Sequence, residues 1–194
     1  MKVLVACEYS GRVREAFRKL GHDAWSCDLI PSDDDSEYHY QGDVFDLQQQ
    51  HWDMMIAFPP CTHLAVSGAK HFAAKRADGR QQQGIDFFMA IVELGEKIGR
   101  YAIENPVGIM STLWRKPDQI IQPWEYGDQA QKKTCLWLHD LPLLVPTNIV
   151  DKGEFYVSPT GKKLPKWYSD NKSPKARSMT FQGIANAMAQ QWGR

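Results

Sequence analysis

Residues 53–68 read DMMIAFPPCTHLAVSG, an apolar run that stops on two prolines and then presents a cysteine. Pro59 and Pro60 fix their own φ angles and carry no N–H donor, so a strand through MMIAF must end there. Cys61 therefore sits just past the carboxyl end of a strand, on a stiffened turn. In open α/β sheets that edge is where ligands bind. These residues alone better suit a small apolar filler at a strand end, the usual state of a free cysteine. The rest of the chain has to decide.

The neighbouring segments repeat the pattern. KVLVA (2–6) is a short β-branched run, and residues 11–20 place Val13, Ala16, Phe17 and Leu20 on one helical face. Gly21 ends that helix, DAWSCDL (23–29) reads as the next strand, and SDDDSE (32–37) as a surface loop. GDVFDL (42–47) follows, with Asp43 after a further short strand, and then comes the strand before Pro59. Strand, helix, strand, loop, strand is the order of a parallel α/β fold. Residues 62–83 form a long polar connection without regular structure, carrying Lys70, His71, Lys75, Arg76 and Arg80, as a lid would. Residues 84–99 predict an amphipathic helix capped at Gly99. RYAIENPVG is a strand ending at Glu104, Asn105 and Pro106, and KTCLWLHDLPLL (133–144) is a further strand with a broken tail. Residues 146–178 predict little regular structure, and 183–192 a closing helix.

With 194 residues, 43% of them hydrophobic, the chain suits one well-buried domain spanning 1–194. No run approaches the roughly 20 apolar residues of a membrane span, and no signal peptide is visible. Cys7, Cys27, Cys61 and Cys135 have no CxxC spacing, which points to reduced thiols in a cytoplasmic protein and to no metal site. Net charge is zero but unevenly spread: residues 1–60 hold 5 Lys/Arg against 11 Asp/Glu, and residues 151–177 hold 7 against 3. The basic part interleaves Trp167 and Tyr168 with its cations, as phosphate contact plus base stacking would require. A surface loop anchored by one buried Trp reads the same way.

Taken in order, these strand ends carry one chemistry. CEYSG turns into a helix whose N-terminus has free N–H groups. Asp28 and Asp43 follow the next two strands, where carboxylates can take ribose hydroxyls and an adenine amino group. With FPPC and IENPVG added, the chain resembles the cytosine-C5 DNA methyltransferase family over nearly its whole length. YGDQAQKKTCLWL is similar to that family's base-orienting motif, and FQGIANAMAQQW to its closing helix.

The resemblance implies a Rossmann-like S-adenosylmethionine-dependent methyltransferase fold, with a mainly parallel sheet and helices on both faces. It implies that Cys7, Glu8, Tyr9, Ser10, Gly11, Asp28, Leu29, Asp43, Val44 and Pro59 hold the cofactor. Cys61 would attack cytosine C6, with Glu104 gripping the base and Lys133 beside them. Pro60, Asn105, Lys70, Arg76 and Arg80 would meet the DNA. The first loop keeps only Gly11 of the family's glycines. Lys133 and Cys135 stand where the family favours two arginines, and Ile184 replaces an asparagine. Residues 146–178 form a short basic insert in place of a target-recognition domain. That implies relaxed or short sequence preference, or a homodimer or separate partner supplying recognition. Two alternatives stay open: C5 methylation of a free pyrimidine nucleotide or RNA, and a non-catalytic binding protein on the same fold.

Overall fold

The computed structural model describes residues 1–171 and 173–194, so Lys172 of the basic insert lies outside the described residues. The sequence folds as α/β. Strands β1 (Lys2–Ala6), β2 (Asp23–Asp28), β3 (His39–Gln41), β4 (Met54–Ala57), β5 (Tyr101–Pro106), β6 (Gln119–Ile121) and β7 (Thr134–His139) form one sheet. Their order is β3-β2-β1-β4-β5-β7-β6. The pairs from β3 to β5 are parallel, while β7 runs antiparallel to both of its neighbours. The strand order reverses between β1 and β4, which places a switch-point crevice at their carboxyl ends.

The central strands are apolar without alternation because both of their faces are covered. Successive side chains point to opposite sides. Val3, Val5, Met54 and Ile56 enter one core, where they meet Phe17 of α1 (Arg12–Arg18). Leu4, Ala6, Met55 and Ala57 enter the other. The helices between β4 and β6 are α2 (Phe72–Ala77), α3 (Arg80–Ile98) and α4 (Met110–Leu113). Phe88, Ile91, Val92 and Leu94 of α3 fill the second core with Trp137 of β7. Gly99 stops α3 at φ 87°, donating its N–H to the Gly95 carbonyl (2.8 Å), the left-handed cap its position predicts.

The insert is more ordered than its composition predicts. It contains the hairpin β8 (Phe155–Val157) and β9 (Lys163–Pro165), then α5 (Lys166–Asp170) and α6 (Pro174–Ser178). The chain closes with α7 (Gln182–Trp192), which packs Ile184, Ala185, Met188 and Trp192 against the α1 side of the sheet. Ile184 is therefore a core residue.

Other expectations change too. Residues 44–47 form a 3-10 helix, because the Asp43 carboxylate accepts the Phe45 N–H (3.0 Å) and caps it; the strand there is His39–Gln41. The connection after Cys61 is mostly helical: a 3-10 helix over Val66–His71, then α2, with α3 beginning at Arg80. The positive φ of Gly79 and an Asp78 side chain bonded to the Arg80 N–H start α3 earlier than the apolar pattern does. Among the described residues no helix is long and apolar enough to cross a membrane.

α7 docks through a glycine. The Gly183 N–H donates to Asp128 Oδ2 (2.9 Å), and a Cβ at this position would lie 1.8 Å from the Tyr126 carbonyl oxygen. Gly183→Ala forces the helix off that loop. It is expected to cost at least about 2 kcal/mol of stability by chemical denaturation. A loss within experimental error would mean that the helix shifts freely against Tyr126.

Candidate active site

Proline ends the β4–β5 ladder, and side chains take over from it. Backbone pairing between the two strands runs to Ala57 and Ile103. Beyond that point Asn105 is buried, and its Nδ2 donates to the Pro59 carbonyl at 2.7 Å and to the Glu104 carbonyl at 3.1 Å. Cys61 then starts one tight turn, its carbonyl accepting the N–H groups of Leu64 and Ala65 (both 3.0 Å). The loops after Cys61 and after Asn105 zip together: Val66 N–H to Val107 O, Ile109 N–H to Leu64 O, and a bridge between Ala65 and Gly108. Gly108 permits this approach, since a Cβ would lie 2.6 Å from the Leu64 carbonyl oxygen. The predicted nucleophile and the predicted carboxylate are thus held at one mouth.

Their charges interact. Burial raises the Cys61 thiol above its ordinary range and the Glu104 carboxylate raises it further, while Lys132 and Lys75 pull it down. Burial also raises Glu104, opposed by Lys132 and by the Thr134 hydroxyl. The other three thiols are raised by burial first, with no cation drawing them down: Cys27 to about 12, Cys135 to about 11, and Cys7 further still. Cys61 is the thiol poised between cations and a carboxylate.

The cation that acts on both groups is Lys132, one residue before the expected Lys133. Its Nζ also donates to the Arg177 carbonyl (2.9 Å). Lys133 is exposed and lines an adjoining cleft. Lys75 was missed, because one lysine among the cations of residues 62–83 carries no distinguishing signal. In the fold it is buried, with Nζ on the Thr62 carbonyl (2.5 Å). Arg80 is occupied by Asp78, through Nε (2.9 Å) and Nη2 (2.6 Å). Arg76 lines a separate cleft with Gln81 and Ile109, and Lys70 stands exposed on the 3-10 helix. Asn105 spends its Nδ2 as a tie between loops.

A second cavity, of about 110 Å³, opens beside the first strand ends. Cys7, Asp28, Leu29, Asp43, Val44 and Pro60 line it, and Phe87 closes it from α3. Pro60, expected at the substrate, thus faces this cavity, and Phe87 was hidden in an ordinary amphipathic helix pattern. Burial raises Asp28 above the usual carboxylate range, opposed by the N–H groups of Ile30 and Leu29. Cys7 holds φ 58°, a strained setting for a non-glycine residue, at the mouth of the cavity.

The remaining first-loop residues frame this cavity without lining it. Glu8 is buried and accepts the N–H groups of Val13 (2.7 Å) and Arg14 (3.2 Å), doing the capping that Gly11 cannot. Burial lifts its carboxyl to about 7 against those two N–H groups and Arg14. Ser10 donates to Glu8, and Gly11 holds φ 69° where a Cβ would strike Arg14 and Asp34. The Tyr9 hydroxyl donates to the Lys175 carbonyl (2.7 Å), and Pro59 is buried with its carbonyl on Asn105. The N-terminus of α1, a ready phosphate site in many α/β folds, is here filled by the chain's own carboxylate. A ligand with hydroxyls and an amine suits this cavity; one with a phosphate at α1 does not.

Among the described residues no group of three or more His, Cys, Asp or Glu side chains could hold a metal ion. No protein-family profile and no curated protein matches this chain.

The charge balance sets a pH profile. Alkylation of Cys61 by iodoacetamide, followed on its own peptide by mass spectrometry, should rise with a midpoint above the ordinary thiol value of about 8.5. Glu104→Gln removes a negative neighbour and should move that midpoint down. Lys132→Met removes a positive one and should move it up. Two midpoints equal to that of the native protein would separate these groups from the thiol.

Proposed function

We propose that this chain methylates C5 of cytosine in DNA, using S-adenosylmethionine and a covalent adduct on Cys61. The observation that carries the reading is the meeting of Cys61 and Glu104 at one mouth, beside a distinct cavity at the ends of β1 and β2. A Rossmann-like sheet with its crevice at this edge supports it.

Cytosine C5 is a weak nucleophile until C6 is attacked. The Cys61 thiolate bonds to C6, the C5–C6 electron pair moves into the ring, and the Glu104 proton meets the charge at N3. Burial, which raises the Glu104 carboxyl, favours the form that holds that proton. Protonated, Glu104 carries no charge against Cys61 ionisation, and it gives up its proton only as the ring takes over the thiolate's charge, so base attack and thiol activation become one event. Lys132 stabilises the thiolate as it forms. When bound, S-adenosylmethionine supplies the electrophilic methyl group that C5 takes. Loss of the C5 proton to water then restores the C5–C6 double bond and expels the Cys61 thiolate, and N3 returns its proton to Glu104.

The residues lining the cavity suit the adenine end of that cofactor, whose full length exceeds about 110 Å³ and would extend out of it. The cofactor has no phosphate, and the filled N-terminus of α1 offers none a place. Asp28 would hold ribose hydroxyls and Asp43 the adenine amino group, with Leu29, Val44 and Phe87 along the ring. A carboxylate–hydroxyl hydrogen bond contributes about 1.5–3 kcal/mol. Asp28→Ala is expected to weaken S-adenosylmethionine at least about tenfold in calorimetry; unchanged affinity would place the cofactor elsewhere.

The decisive test offers 5-fluorocytosine in single-stranded DNA, duplex DNA, RNA and the free nucleotide, with S-adenosylmethionine present. The C5 fluorine blocks elimination, so a Cys61-dependent adduct should accumulate on DNA. An adduct confined to RNA or the nucleotide would reassign the substrate. No adduct on any of them, from protein that binds the cofactor, would make the chain a binding protein.

A further inference from the structure

A cleft of about 300 Å³ adjoins the reactive pair, and the mechanism leaves it unused. Its floor is Pro106 and Val107, directly after Glu104 and Asn105. Val66 and Ser67 form one wall, from the loop that Cys61 begins. Lys132 and Lys133 bring two cations to it, and Pro165 and Tyr168 of the insert form the far side. Gln122 also lines it.

The two aromatic residues of the insert differ in their tasks. Trp167 packs on Phe181, with ring centroids 5.3 Å apart, and anchors the insert to the start of α7. Tyr168 meets Trp167 edge-on at 5.1 Å and lines the cleft. Of the two residues, Trp167 does the anchoring and Tyr168 is the one on the cleft.

We infer that this cleft holds the one nucleotide that neighbours the target cytosine on the same unpaired strand, its base on Tyr168 and its phosphate at Lys132 and Lys133. The inference rests on the methyltransferase reading and adds a subsite to it. The volume takes one nucleotide, at the small end of ligand pockets. Reaching it requires a base that has left the duplex stack, which single-stranded DNA provides without cost. Because Lys132 faces both the cleft and Cys61, a phosphate seated there also bears on the reacting thiol.

The test compares trapping rates on short single strands that contain one 5-fluorocytosine. The neighbour on each side in turn is adenine or an abasic sugar-phosphate. On one side, native protein should trap the adenine strand about tenfold faster than the abasic one, the size of one base–aromatic stack. Tyr168→Ala should bring that ratio close to one, and Tyr168→Phe should keep it. Ratios within one variant cancel any loss of folded protein. Equal rates on adenine and abasic strands in native protein, or an unchanged ratio in Tyr168→Ala, overturn the subsite while leaving the methyltransferase reading intact. Absence of an adduct on every strand overturns that reading and the subsite with it.

Discussion

A single buried amide holds the mouth of this protein in shape. Pro60 has no N–H to offer the next strand, so the sheet's own ladder stops just before Cys61. Asn105 Nδ2 reaches across to the Pro59 carbonyl at 2.7 Å and supplies the missing link. The same residue stays in register with Cys135 on its other side, so it is fixed by the sheet while it fixes the loop. An unsatisfied Pro59 carbonyl in this buried setting would cost about 1–3 kcal/mol. Everything beyond depends on this tie, from the turn at Cys61 to the Ala65–Gly108 bridge.

The first loop follows a similar economy. Polar groups that an isolated reading assigns to a ligand are spent on the protein itself. Glu8 caps α1, Arg14 is buried against Ser26 and Asp34, and Gly11 lets those side chains approach. The insert is tied down on top of this loop. Tyr9 bonds to the Lys175 carbonyl, Arg12 to the Thr180 carbonyl, and Lys175 to Asp33. Lys132, which balances Cys61 against Glu104, also bonds to the Arg177 carbonyl in the insert. One short segment thus touches both the cavity's frame and the reactive pair's cation. The uneven charge of the chain has its use here, since the basic insert lies against the acidic N-terminal part.

Much of the fold was legible because burial leaves a strong pattern. β1 matches its apolar run at both ends, and β4, β5 and β7 lie within theirs, because both faces of each are covered. Gly99 ends α3 where its backbone freedom is needed. The 3-10 helix after Asp43, the three-residue β6 and the early start of α3 were not legible. Each is decided by one or two hydrogen bonds or by neighbours distant in sequence, and neither leaves a period to read. The insert was misjudged for a related reason: hairpins and helices of three to five residues are held by what they pack on, and not by propensity.

The amino-acid sequence by itself determined the strand ends, and with them the meeting of Cys61 with Glu104 and of Cys7 with Asp28 and Asp43. A strand must stop at proline, and a parallel sheet gathers its carboxyl ends on one edge. Only the tertiary structure decided which polar groups there are free. It gave Asn105 Nδ2 and Glu8 to the scaffold and Arg80 to Asp78, and it set the charges of Lys132 and Lys75 against the Cys61 thiol. A side chain's partner is set by distances across the fold, and spacing along the chain does not encode them.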